Sequence, residues 1–271
     1  MKFIIFSDTH GDFSKIEKLK RKYYDNNTIV VFLGDLLDAI EFSHIVRKGT
    51  FEKKFKNAYV NALKELKEVF DDNFYFIQGN HDPIEILDNE IKHINLSARY
   101  GVFGNLHVYG IPGSSIVPNV ENPEIFASFG EFLTQVPQKE ENVQLLHKTK
   151  INEENIFVYG NLPKLLKVER PVNIVFSHTP PLLNLNFKTM SEFYKALYNS
   201  SIGVRVISEK LKPNIIFAGH EHAPRKYSEI LKIDDKVTSV IKVGSLSRQG
   251  SFAILEYSPE TKKMNVKIKK I

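Results

Sequence analysis

Along this chain, short apolar runs end abruptly in small and polar residues. Lys2–Phe6 (KFIIF) breaks off into SDTHGD, Thr28–Leu33 (TIVVFL) into GDLLD, and Phe74–Gln78 (FYFIQ) into GNHD. Asn173–Phe176 (NIVF) gives way to SHTPP, and Asn214–Ala218 (NIIFA) to GHEH. Runs this short and this rich in β-branched and aromatic residues predict buried strands. Their near-continuous apolarity suits strands covered on both faces.

Between the runs the apolar spacing becomes helical. Phe13, Ile16 and Leu19 share one face of residues 13–25, with lysines opposite. Residues 51–70 carry Phe51, Phe55, Tyr59, Leu63, Leu66 and Phe70 at three- and four-residue spacing, and 203–211 carry Val204, Ile207 and Leu211 before Pro213. Strands alternating with helices predict an α/β sheet with right-handed crossovers. Three later runs, Val237–Val243, Ser251–Tyr257 and Met264–Ile268, lie close together and predict antiparallel hairpins in a second sheet on the same core. Residues 112–165 are the least regular and hold five prolines. Within them Asn122-Pro123, followed by Ile125, Phe126, Phe129 and Phe132, reads as a capped amphipathic helix.

Composition narrows the chemistry. The 271 residues are 42% hydrophobic and 25% charged, which excludes disorder as the overall state and allows a substantial core. A single domain over 1–271 is expected, with an insertion at about 112–165 that could lean over the site. Cysteine is absent, which removes disulfides, thiolate metal sites and a catalytic thiol. The net charge of +5 permits steering of anions but reads first as a lysine-rich surface. Only four apolar residues follow Lys2 before Ser7, and no apolar run approaches membrane-spanning length, so the expected location is the cytoplasm, with no membrane partner.

In open α/β sheets, ligands bind beyond the carboxyl ends of strands. All five apolar runs deliver Asp, Asn or His there: Asp8, His10, Asp35, Asn80, His81, His178, His220 and His222. Five of the nine histidines sit in these loops. A single Asp-x-His or Gly-Asp fragment is an ordinary turn, but two aspartates and several histidines gathered at one edge call for cations, since isolated buried charges are costly. Such nitrogen and oxygen ligands suit Mn, Fe or Zn.

The pattern resembles the calcineurin-like metallophosphoesterases. Asp8-Thr9-His10, Gly34-Asp35-Leu36-Leu37-Asp38, Gly79-Asn80-His81-Asp82, Ser177-His178 and Gly219-His220-Glu221-His222 match the five family motifs in order over residues 3–222. The resemblance implies a four-layer α-β-β-α sandwich of two mixed sheets flanked by helices. It implies two divalent metal ions (Mn, Fe or Zn), one on Asp8, His10, Asp35 and His222, the other on Asp35, Asn80, His178 and His220, with Asp35 bridging. It also implies attack by a metal-activated hydroxide with His81 as general acid, oriented by Asp38 or Asp82, of which Asp38 is favoured. Ala39-Ile40 after Asp38, and Asp82 closing the third motif, argue against the protein serine/threonine phosphatase subgroup.

The expected activity is therefore hydrolysis of small-molecule phosphoesters, as a phosphodiesterase or phosphomonoesterase. A nuclease of the same family is the alternative, because lysines at 48–56 and 262–270 could track a nucleic-acid backbone, although they alternate with apolar residues as ordinary amphipathic edges do. A non-catalytic scaffold on the same fold is a third reading, disfavoured because every motif position is present. His44, His93, His107 and His147 fall outside the strand-end pattern. Of these, His44, with Arg47 and Lys48 beside it, is expected nearest the metals. Asn105, His107 and Gly110–Ser115 are further expected pocket linings. Nothing in the sequence bears on oligomeric state.

Overall fold

The computed structural model describes residues 1–38, 51–83, 86, 88–113, 131–133, 143–151, 154–161 and 171–271. Three of the apolar runs become parallel neighbours: β1 (Lys2–Phe6), β2 (Thr28–Phe32) and β3 (Phe74–Phe76). The sheet is completed on the other side of β1 by β13 (Ser251–Ser258) and β14 (Lys263–Lys270), both antiparallel to their neighbours. A second sheet has six strands among the described residues. Its centre is β5 (Leu106–Ile111), β9 (Ile174–Ser177), β10 (Ile215–Ala218) and β12 (Lys236–Lys242), all parallel. Its edges are the antiparallel β4 (Tyr100–Phe103) and β11 (Ser228–Ile233).

Alternation across the strands builds the layers. Ile4, Phe6, Val30 and Phe32 face outward onto α1 (Ile16–Tyr23) and α2 (Phe51–Phe70), meeting Leu19, Tyr59, Leu63 and Phe70. Phe3, Ile5 and Val31 face the other way and pack between the sheets against Val108, Phe176 and Phe217. Beyond the second sheet, Val175, Ile216 and Val240 meet Val204, Ile207 and Leu211 of α5 (Ile202–Leu211). The result is the expected sandwich of two mixed sheets between helices.

The helix expected over 51–70 is present as Phe51–Phe70. Helix α1 is shorter than 13–25: Phe13 lies in the turn before it, accepting from Ile16 N–H at 3.0 Å, and Tyr24 is already extended. Helix α5 stops where expected, with Lys212 left-handed (φ 46°) just before Pro213.

The C-terminal strands differ from the expectation of one sheet of hairpins. β12 joins the second sheet beside β10, whereas β13 and β14 complete the first. The segment between β12 and β13 is a crossing, not a hairpin turn. Gly244 (φ 72°) and Gly250 (φ 65°) take conformations that suit glycine, on either side of the short helix α6 (Leu246–Gln249), and carry the chain from one sheet to the other.

Within 112–165, expected to be irregular, β7 (Val143–Ile151) and β8 (Glu154–Asn161) form an antiparallel hairpin with a register shift between Leu145 and His147, joined by β6 (Glu131–Leu133). Phe132 is therefore in a strand, paired with Tyr159, and not in the expected helix. The rest of that helix, from Asn122, lies outside the described residues. Ile151, Ile156 and Val158 of the hairpin pack on Phe193 and Leu197 of α4 (Met190–Asn199). A further helix, α3 (Asn89–Lys92), is capped by Asp88. No helix among the described residues is long and apolar enough to cross a membrane.

Candidate metal centre

The carboxyl ends of β1, β2, β3, β9 and β10 meet at one edge of the two packed sheets, and their loops are tied together by backbone hydrogen bonds. Asp8 N–H donates to Gly34 O at 3.0 Å, His10 N–H to Asp35 O at 3.1 Å, and Gly11 N–H to Leu36 O at 2.8 Å. Side chains at Gly79 and Gly219 would not fit: a Cβ on Gly79 would run into the Asp35 carboxylate, and one on Gly219 into Ser7 beside Asp8. Asp8 (φ 58°), His10 (φ 46°), Asp35 (φ 60°) and His220 (φ 62°) all take left-handed backbone. Such conformations cost about 1–3 kcal/mol each and persist where surroundings over-determine them, as at functional sites.

Two groups of ligand atoms result, each with its members within 4.8 Å of one another. The first is Asp8, His10 and His222; the second is Asp35, His178 and His220. In the first, His10 Nε2 and His222 Nε2 lie 2.9 Å apart and converge on Asp8 Oδ1, at 3.8 and 3.3 Å. Asp8 is fully buried, and Oδ1 has no hydrogen-bond partner among the described residues. Burial pushes the Asp8 carboxyl up, but the His10 and His222 imidazoles and the charge of His178 hold it well below the usual carboxylate range.

In the second group, His178 Nε2 lies 3.4 Å from Asp35 Oδ2 and 2.9 Å from Asn80 Oδ1. Its other nitrogen, Nδ1, donates to Leu33 O at 2.7 Å, which turns Nε2 toward the site. Burial pulls the His178 pKa down, but Asp35 and then Asp8 raise it to about 9. His220 is turned in the opposite sense: Nε2 donates to Tyr198 O of α4 at 3.0 Å, and Nδ1 faces Asn80 Oδ1 at 3.0 Å. Burial and the charge of His178 favour a neutral His220, so its Nδ1 lone pair confronts the amide oxygen, another acceptor.

An orphaned buried carboxylate oxygen in one group and two facing acceptors in the other are the environments a cation relieves. The donor set fits two divalent ions held by nitrogen and oxygen. Asp35 is the inner wall of the second group; burial raises its carboxyl, and the charges of His178 and His81 pull it below its ordinary value.

His81 stands at the rim, its side chain 20% exposed, with Nε2 3.9 Å from Asp35 Oδ2 and its N–H donating to Asp35 Oδ1 at 2.9 Å. Asp38 is half-buried in the same loop region; burial pulls the His10 pKa down, but Asp8, Asp35 and then Asp38 raise it above its ordinary value. Asp82 ties the loops to one another. Its buried carboxylate accepts from Asp35 N–H (2.9 Å), Leu36 N–H (3.0 Å) and Gly79 N–H (2.7 Å), clamping the second and third loops together. Burial and the nearby Asp35 charge raise its pKa to about 6.

Not every expected lining residue reaches the site. Asn105 and His107 lie at the start of β5, at the pole opposite the loops, because β5 runs parallel to β9 and only its far end, Ile111, touches His178 N–H. Gly113 does reach the loops, through Gln78 O (2.9 Å) and Thr179 Oγ1 (2.9 Å). His93 is exposed beside its own short helix and His147 lies on β7. His44, Arg47, Lys48, Ser114 and Ser115 lie outside the described residues.

The motifs alone did not reveal the partners behind the ligands. Leu33 O and Tyr198 O are backbone groups with no sequence signature. Ser245 and Ser247 each donate to Asp8 O at 2.9 Å. Their one signal is the Gly-Ser-Leu-Ser turn, in which Ser245 caps α6.

A family model described as calcineurin-like phosphoesterase matches residues 1–224. No curated protein matches the chain. Among solved structures, the chain is similar to a conserved uncharacterized protein of Streptococcus pneumoniae, described as a predicted phosphoesterase, at 12% identity and a TM-score of 0.39, covering 99% of this chain and 88% of that one. It is similar to a novel archaeal phosphodiesterase at 15% identity and a TM-score of 0.39, covering 99% of this chain and 100% of that one. It is also similar to a protein serine/threonine phosphatase of Saccharomyces cerevisiae at 12% identity and a TM-score of 0.37, covering 100% of this chain and 80% of that one.

Proposed function

The chain belongs to the calcineurin-like phosphoesterase family, and from that premise we propose that it hydrolyses phosphoesters of small molecules, with two divalent cations as cofactors. The observation that carries this reading is the pairing of two ligand groups in one pocket, Asp8, His10 and His222 beside Asp35, His178 and His220. Asn80 completes the second group through Oδ1, and Asp35 is the carboxylate shared between the two.

When bound, the cations supply Lewis acidity toward phosphoryl oxygens and make water acidic enough to act as a nucleophile near neutral pH. The protein supplies position. Asp8, Asp35 and His178 form the buried floor, and the partly exposed His10, His81 and His222 form the rim where substrate enters. His81 donates a proton from Nε2, the ring nitrogen facing Asp35, to the alkoxide that departs as the P–O bond breaks. Asp38 acts through His81, holding the ring in its donating orientation. No covalent intermediate on the protein is required, because water is the acceptor.

Chelated protein reloaded with Mn2+ and given a nitrophenyl phosphodiester and the matching monoester tests the reading. Turnover should return with metal, and the ratio of the two rates assigns diester or monoester preference. Metal bound with no turnover of either ester would instead favour a scaffold. A strongly salt-sensitive cleavage of single-stranded nucleic acid would favour the nuclease.

A further inference from the structure

His220 and His222 are two residues apart yet serve different groups, one with Asp35 and His178, the other with Asp8 and His10. Glu221 is the residue between them. Its backbone is tightly turned: Glu221 N–H donates to Gly219 O at 2.7 Å, and His220 before it has φ 62°. The Glu221 carboxylate ion-pairs with Lys242 Nζ at 2.8 Å.

Lys242 is built into the sheet. It closes β12 opposite Ala218 of β10, next to the residue where the His220–His222 loop leaves its strand, and its own N–H donates to Tyr227 O at 2.9 Å. Its side chain is 14% exposed and that of Glu221 22%, so solvent screens the pair only in part. The same ammonium ion-pairs with Glu229 of β11. Lys242 is thus a largely buried cation between two carboxylates, one on the edge strand and one on the loop that carries both histidines.

We propose that Lys242 is a positioning residue for both metal positions, acting through Glu221 to hold the divergence of His220 and His222; this rests on the two-metal reading above. Without the ammonium, Glu221 and Glu229 are left as neighbouring like charges, and the loop is pushed off its sheet. Because the loop feeds both groups, both affinities fall together, which loss of a ligand that serves one group alone would not produce.

The test is calorimetric titration of chelated wild type, Lys242→Met, Lys242→Arg and Glu229→Gln with Mn2+, alongside melting of the metal-free forms. Lys242→Met should bind about 10–100-fold more weakly at both positions, the range for groups that orient metal ligands. Lys242→Arg should recover most of the loss, because a guanidinium can bridge two carboxylates. Glu229→Gln keeps the Glu221 pair and should bind as wild type does. Wild-type affinity in Lys242→Met, or an equal loss in Glu229→Gln, would overturn the proposal whatever the melting temperatures. If Lys242→Met does not fold, Glu221→Gln poses the same question from the other end of the pair, and unchanged affinity there would overturn it equally. A wild type that takes up no metal would sink the two-metal reading itself. Two bound ions with Lys242→Met indistinguishable from wild type would sink only the role of Lys242.

Discussion

Left-handed backbone at Asp8, His10, Asp35 and His220 aims four side chains from four positions into one small volume. Glycine supplies the space around them. Gly79→Ala would push a methyl group into the Asp35 carboxylate, and such overpacking costs about 1–3 kcal/mol; denaturant unfolding should register it together with weaker metal uptake. His81→Ala should lower turnover by about 10²–10⁴-fold, most for poor leaving groups, while metal content by elemental analysis stays at the wild-type value. Loss of metal instead would make His81 a ligand. His178 gives a sign for pH. Burial lowers its pKa, but Asp35 and Asp8 raise it to about 9, so without metal it is protonated at neutral pH. A ligating nitrogen must be unprotonated, so metal uptake at pH 7.5 releases that proton and apparent affinity climbs with pH up to about 9. A pH-stat titration should consume base on metal addition; no base consumed would contradict it. These residue types were legible in the sequence because each follows an apolar run at a fixed spacing. Their hydrogen-bond partners were not, because Leu33 O and Tyr198 O are main-chain groups that any residue could present.

At the scale of elements, α4 connects a cluster remote from the ligands to one of them. Phe193 and Leu197 pack under the β7–β8 hairpin, and one residue further on Tyr198 O holds His220. Phe193→Ala should destabilise the fold by about 3–5 kcal/mol and weaken metal binding in the second group more than in the first, which titration with spectroscopically visible Co2+ would resolve. Equal weakening of both groups would detach His220 from this packing. The long periodic pattern over 51–70 announced α2 because an apolar stripe sustained at helical spacing for five turns fits neither a strand nor a loop. The β4–β5 hairpin was missed although a Gly104-Asn105 turn separates two suitable runs, and the β7–β8 hairpin was hidden because its strands mix charged and apolar residues. Short strands are specified by their partners as much as by themselves.

For the whole molecule, the apolar runs indicated buried parallel strands but not their division between two sheets. That division follows from pairing over long sequence separations: β13 lies against β1 and β12 against β10, with the Gly244–Gly250 crossing between. On the proposed function this matters, since each sheet contributes candidate ligands and they come together only where the sheets' ends meet. Asp8, Asp35 and Asn80 follow strands of the first sheet, and His178, His220 and His222 follow strands of the second. The most direct test of the account is a single titration of chelated protein with Mn2+, following bound metal and hydrolysis of a nitrophenyl phosphodiester and its monoester together. The account predicts two ions per chain, activity that rises with their binding, and neither in Asp35→Ala. Full turnover in the presence of chelator, or two bound ions with no phosphoester hydrolysed, would contradict it.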